Sequence, residues 1–154
     1  VERWELVRAQ LGDEIERLGF DSERGHYVQH YGTTEVDASL LQLAQIGYVA
    51  YDDPRMLGTV AEIERTLLRD GLPLRYRTES GVDGLEGDEH PFLTCAFVLM
   101  DGLVGLTNDV GLLSEEYDTV NECHMGNTPQ ALSHLSLVRA ADSIAFARQD
   151  MVST

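Results

Sequence analysis

Lysine is absent from this 154-residue chain, and all 11 basic residues are arginine. Against them stand 27 acidic residues, for a formal net charge of −16. A surface so short of positive charge repels phosphate backbones and anionic headgroups, which excludes nucleic acid and anionic membranes as partners. It favours solubility and a neutral or cationic ligand. No apolar run approaches the ~20 residues a membrane span needs. The N-terminus also lacks the charged-then-apolar layout of a secretory signal. Cysteine is scarce: Cys95 in an apolar run and Cys123 in a polar loop read as two free thiols in a reducing compartment. The expected location is the cytoplasm. The chain opens almost directly inside a helix, so a preceding segment is expected.

Several catalytic signatures are missing too. There is no Gly-x-Ser-x-Gly and no phosphate-binding loop, and Gly81, Gly84 and Gly87 follow no strand, which excludes a dinucleotide loop. Asp83-Gly84 lacks the later glutamate of a calcium hand, because His90 stands there. His26 and His30, four apart, lie outside any expected helix and have no carboxylate at fixed spacing, so no metal site is assigned. Cys123-His124 is adjacent in sequence, whereas a thiol and its base normally meet across a fold. No cofactor is implied.

What is present is helical periodicity, with 43% apolar residues to build a core. Trp4, Val7, Leu11, Ile15 and Leu18 recur at helical spacing, with charges between them, and Gly19 ends the run. After Gly32, Thr34 reads as a cap with Asp37 three positions on. Val36, Leu40, Leu41, Leu43, Ala44 and Ile46 leave little room for a wet face, so a helix buried nearly all round is expected there. Asp52-Asp53-Pro54 starts another helix with the stripe Met56, Val60, Ile63 and Leu67. Gly71 to Asp88 reads as a long loop. Pro91 opens a second wholly apolar helix through Met100. Thr128 as cap and Pro129 in the first turn begin a third helix, running through Leu132, Leu135, Val138 and Ala141.

Amphipathic helices thus alternate with apolar ones. Each apolar helix is entered from a polar, Gly-containing loop. Inner helices ringed by outer ones explain the pattern and gather those loops at one end, where the site is expected. The fold expectation is all-α in one domain, residues 1–154.

Within those loops, Glu115 and Glu116 are candidate general acid or base residues, or else a solvated acidic turn. Leu112, Leu113 and Tyr117 flank them and would carry a carboxylate into a partly buried site. Adjacent side chains point apart in regular backbone, so one of the two faces the cavity. Asp37 and Glu89 stand at the entrances of apolar helices, as caps or as ligand contacts. Arg75 and Arg77 either donate forked bonds to hydroxyls or balance an acidic surface.

Five runs carry a resemblance: Tyr31-Gly-Thr-Thr-Glu-Val-Asp-Ala-Ser-Leu-Leu41; Arg75-Tyr-Arg-Thr with Gly81-Val-Asp-Gly-Leu85; Glu89-His-Pro-Phe-Leu-Thr-Cys95; Asn108-Asp-Val-Gly-Leu-Leu-Ser-Glu-Glu-Tyr-Asp118; and Gly126-Asn-Thr-Pro-Gln-Ala-Leu-Ser-His-Leu135. In this order the chain resembles glycoside hydrolase family 15, the bacterial glucoamylases and trehalases. The resemblance implies part of an (α/α)6 toroid, its C-terminal half, with amphipathic outer and apolar inner helices. It implies inverting hydrolysis of α-glucosidic bonds, in trehalose or α-linked glucose oligosaccharides. It places the general base at Glu115, with Glu116 as its supporting neighbour. It makes Arg75 a sugar-hydroxyl ligand, and Asp37, Glu89 and Tyr117 complete the expected substrate-binding set.

The family's general acid lies on an upstream Trp-Glu run without a counterpart here, since Trp4-Glu5 falls on the amphipathic first helix. Between Met100 and Gly102 the family carries a longer helical connection, and this chain is expected to lack about one helical hairpin, on the order of fifteen to twenty residues. Two alternatives stand beside the hydrolase: a non-catalytic helical module that binds carbohydrate or assembles with other chains, and a helical scaffold without ligand. Half a toroid leaves apolar faces uncovered, so a homo-oligomer or pairing with the rest of the toroid is expected.

Overall fold

Four α-helices, two short 3-10 helices and three two-stranded antiparallel hairpins make up the described part of the chain, which is therefore mostly helical rather than all-α. The computed structural model describes residues 2–78, 90–93, 95 and 103–152. Two units divide it, Val1–Leu67 and Leu68–Thr154.

The first unit opens with α1 (Glu2–Leu18), which carries Glu2 and Glu5 in its first turn and Arg17 in its last, both favourable to the helix dipole. Its apolar stripe is present but uncovered. No residue of α1 is buried, and Trp4 is 77% exposed. A hairpin follows, β1 (Phe20–Asp21) with β2 (His26–Tyr27). Its turn is set by Asp21, whose Oδ1 accepts the main-chain N–H groups of Glu23 and Arg24.

The helix expected to be buried nearly all round is instead a 3-10 turn, η1 (Ala38–Leu41), running into a short α2 (Gln42–Gln45). Ala38, Leu41 and Ala44 are buried, whereas Ile46 is 72% exposed. Its cap is also three residues later than expected: Asp37, not Thr34, accepts the Ser39 N–H at 2.7 Å. A short polar side chain with extended backbone suits that role, and Asp37 has φ −132° and ψ 139°.

Helix α3 (Pro54–Leu67) begins where the sequence predicts, with Asp53 Oδ1 accepting the Arg55 N–H at 2.9 Å. Met56, Ile63 and Leu67 are buried as expected, joined by Thr59. Thr59 Oγ1 donates to the Arg55 carbonyl and accepts the Tyr27 N–H, which ties α3 to β2. Tyr27 is the centre of this unit. Phe20 and Tyr48 meet its ring edge-on, and Arg55 lies over it at 5.9 Å. Glu16 of α1 accepts hydroxyl protons from Tyr27 and Tyr48 at 3.0 Å each. Burial, reinforced by Glu16, pushes the Tyr27 phenol well above its ordinary value.

The second unit begins with a hairpin inside a stretch read as part helix and part loop: β3 (Leu68–Arg69) pairs with β4 (Leu72–Pro73). Asp70 and Gly71 join them with φ of 48° and 84°, the left-handed pair that a two-residue hairpin turn requires. The Asp-Gly dipeptide was the available signal. Leu93 and Cys95 are helical, as predicted, but Pro91 is not, and Phe92 instead forms an isolated antiparallel bridge with Glu116. Residues 94 and 96–100, and most of the preceding loop, lie outside the described residues.

After η2 (Leu103–Leu106) comes a third hairpin, β5 (Glu116–Asp118) with β6 (Cys123–Met125), and then α4 (Ala131–Val152). Helix α4 starts two residues beyond Pro129, and the Thr128–Pro129 peptide is cis. It is not enclosed on all sides as expected of an inner helix, because Leu132, Leu135 and Val138 are each more than half exposed. Leu72, Leu93 and Leu113 form the buried centre of this unit, with Leu106, Tyr117, Leu137 and Ala140 packed on it. Cys95 is buried and Cys123 exposed, and neither is in a disulfide.

Candidate active site

The segment Leu113–Glu116 is stitched on both sides. On one side the Leu93 N–H donates to the Glu115 carbonyl at 2.9 Å and the Tyr117 N–H to the Pro91 carbonyl at 3.1 Å. On the other, the Gln130 N–H donates to the Leu113 carbonyl and the Glu115 N–H to the Asn127 carbonyl. The first turn of α4 adds two side chains. Ser133 Oγ donates to the Ser114 carbonyl, and His134 Nε2 accepts the Leu113 N–H. Ahead of the segment, Asn108 Oδ1 accepts the N–H groups of Val110 and Leu112, shaping the approach. A carboxylate presented here sits on a frame with little freedom.

The two glutamates diverge, as adjacent residues should. Glu115 is half-buried, and its Oε2 accepts both the main-chain N–H and the Nδ2 of Asn127. Glu116 begins β5. Burial is the main cause raising its pKa, and Glu115 adds to it, while the His90 ring and main-chain N–H work against it.

Ser114 and His124 give the look of a nucleophile and base, at 2.7 Å between Oγ and Nδ1. The geometry excludes that role. Ser114 is fully buried, and its single hydroxyl proton goes to the Glu116 carbonyl at 2.5 Å. The hydroxyl must then accept from His124, so Nδ1 carries the hydrogen in this network. The pair instead locks the turn between Ser114 and Glu116.

Tyr117 packs on the leucine cluster and meets the His124 ring edge-on at 5.8 Å. Arg75 is exposed, its guanidinium over the Tyr76 ring at 5.4 Å. Asp37 belongs to the first unit and is engaged as a cap, with Gln29 Nε2 reaching its other oxygen at 3.4 Å. Glu89 lies outside the described residues. The structure therefore brings Glu115, Glu116 and Tyr117 together. Sequence reasoning missed Asn127, Ser114, Ser133, His134 and His124, although the Gly126–His134 run held three of them. Their roles are polar contacts across the fold, which no local spacing announces. Trp4 and Glu5 sit on the exposed face of α1.

The family model for glycosyl hydrolases family 15 matches residues 1–107. The chain is 36% identical to a trehalase of Thermoplasma acidophilum over 99% of its own length and 29% of that protein's. Against a Thermoplasma volcanium trehalase it is 35% identical, over 94% of this chain and 25% of that one. A Mycobacterium tuberculosis trehalase is 34% identical over 99% of this chain and 25% of its own. The chain belongs to glycosyl hydrolase family 15. It spans about a quarter of the length of these trehalases. The T. acidophilum alignment runs over 170 residues against 154 here, so the relative carries residues that this chain does not. Among solved structures, a wild-type glycosidase superposes with a TM-score of 0.74 at 20% identity, covering 91% of this chain and 43% of that one. A variant glycosidase in complex with glucose gives the same score, identity and coverage. The fold is that of part of a glycosidase.

Proposed function

We propose that this chain carries the general-base part of an inverting α-glucosidase site of the trehalase and glucoamylase type, with Glu115 as the base and trehalose or an α-linked glucose oligosaccharide as substrate. The observation that carries the reading is the half-buried Glu115 carboxylate, held on a segment bonded along both edges. The aligned trehalases support it, since the match includes this segment of the chain. A second observation supports the substrate: one glycosidase of the same fold has been solved with glucose.

In the proposed reaction a water oxygen bonds to the anomeric carbon as one of its protons passes to Glu115. A carboxylic acid about 6.5–9.5 Å away protonates the glycosidic oxygen as the carbon–oxygen bond breaks. The configuration inverts because water enters opposite the leaving group. That acid is not among the residues proposed here; the family resemblance puts it on a run upstream of the matched region. Glu116, whose carboxyl is raised above the ordinary glutamate range chiefly by burial, is the proposed supporting neighbour of the base. Arg75, with Asp37, Glu89 and Tyr117, forms the proposed sugar-binding set; Asp37 serves first as a cap.

Glucose release from trehalose and from maltose, measured beside Glu115→Gln, tests the reading. Inverting chemistry needs both carboxylates, so this chain without its acid should be nearly inactive. The expected result is a low residual release that the substitution lowers further, by up to about 10²–10⁴-fold, the range of a general base. Release unaffected by the substitution removes Glu115 from the mechanism. The second reading, a carbohydrate-binding or assembly module, is favoured by the uncovered apolar stripe of α1. It predicts no glucose release from either protein.

A further inference from the structure

Asn127 meets Glu115 three times. The Glu115 N–H donates to the Asn127 carbonyl at 3.0 Å, and Asn127 returns its own N–H at 3.2 Å and its Nδ2 at 2.8 Å, both to Oε2. Gly126, just before it, lies flat against the same side chain. With φ of 71°, a Cβ there would stand 3.0 Å from Oε2 and 3.1 Å from the Glu115 Cβ. The carboxylate thus rests on bare backbone, with two donors on one oxygen. Among the described residues Oε1 accepts no hydrogen bond.

A carboxylate's terminal torsion is broad and two-fold, so left alone its two oxygens exchange places. Two donors on one of them end that equivalence, and a charge-assisted pair of this kind is among the stronger hydrogen bonds. We infer that Asn127 is a positioning residue for Glu115, occupying Oε2 so that Oε1 is the oxygen offered to water or a sugar hydroxyl. The inference rests on the reading of Glu115 as the base. Asparagine is the right residue chemically, because it adds a side-chain donor without charge. Aspartate has the same shape, but it lacks the donor and sets a second negative charge against Oε2.

The test compares the chain with Asn127→Ala, Asn127→Asp and Glu115→Gln, using trehalose as substrate and thermal unfolding as control. The expected result is kcat lower on the order of 10²-fold in Asn127→Ala. KM and Tm should stay close to the parent's, and the nearly isosteric Asn127→Asp should be worse than alanine. A merely structural asparagine would give the opposite order, with loss tracking Tm. Wild-type kcat in both Asn127 variants overturns the inference. An unchanged rate in Glu115→Gln instead overturns the base reading.

NMR on the same chain then decides Asn127 by itself, and it does so as well if the parent releases no glucose. The main-chain and side-chain amide protons of Asn127 should move upfield together in Glu115→Ala. Resonances that stay in place overturn the inference whatever the kinetics.

Discussion

Glu116 carries the clearest electrostatic signal of the two glutamates. Burial raises its pKa, so the folded chain holds that proton to higher pH than the unfolded chain does. As pH rises above the ordinary glutamate range, the unfolded state ionises first. Stability therefore falls through the window between the two values and levels off above the folded one. Glu116→Gln should remove that slope, raising Tm relative to the parent at pH 7 and leaving little difference at pH 4. Thermal unfolding of both proteins across that range measures it, and parallel curves would show that burial does not penalise this carboxylate. Asp53 has the opposite sign. The side-chain bond from Arg55 holds it down at about 2, so its contribution is present at neutral pH and lost only as pH falls from the ordinary aspartate range towards that value.

Elements meet closely where side chains are absent. The Gly58 Cα of α3 faces the turn of the first hairpin, and a Cβ there would lie 2.1 Å from the Gly25 carbonyl oxygen. The obstacle is backbone, which cannot rotate away. Gly58→Ala should therefore destabilise the chain by about 1–3 kcal/mol through overpacking. The gain of an alanine inside a helix offsets only part of this. Urea unfolding reads the loss as a lower midpoint at unchanged slope, and an unchanged midpoint would mean that α3 and the hairpin separate freely. The same reasoning explains why η1 and α2 depart from the expected buried helix. Apolar composition permits burial all round, but only neighbours impose it, and Ile46 has none on its side. Helix α3, by contrast, was legible in its start and in most of its stripe, though Thr59 rather than Val60 is buried and the chain leaves the helix at Leu67. Its cap, its proline and its stripe are local or periodic features that need no partner to be recognised.

At the scale of the whole molecule, exposed apolar side chains bear on assembly. Trp4, Leu6 and Leu11 on α1 are each more than half exposed, as are Leu132, Leu135 and Val138 on α4. Surfaces of this kind mark association sites when contiguous along one element. The chain should accordingly self-associate, with sedimentation that depends on concentration. Replacing Trp4 and Leu11 by serine should shift it towards the monomer. A strictly monomeric parent would count against an open piece of a toroid that pairs through α1. The net charge of −16 opposes association, so salt should strengthen it by screening.

The sequence by itself determined the family, the start and most of the stripe of α3, the strongly acidic charge, and the run that holds Glu115. These are properties of composition, period and ordered motifs, which survive without knowing what touches what. Only the tertiary structure decided that Asp37 is occupied as a cap, that Ser114 and His124 form a lock rather than a nucleophile pair, and that Asn127 grips one oxygen of Glu115. Each of these depends on where particular hydrogen bonds go, between residues up to 12 positions apart. Hydrogen-bond direction follows from three-dimensional neighbours, and a one-dimensional pattern holds no record of it.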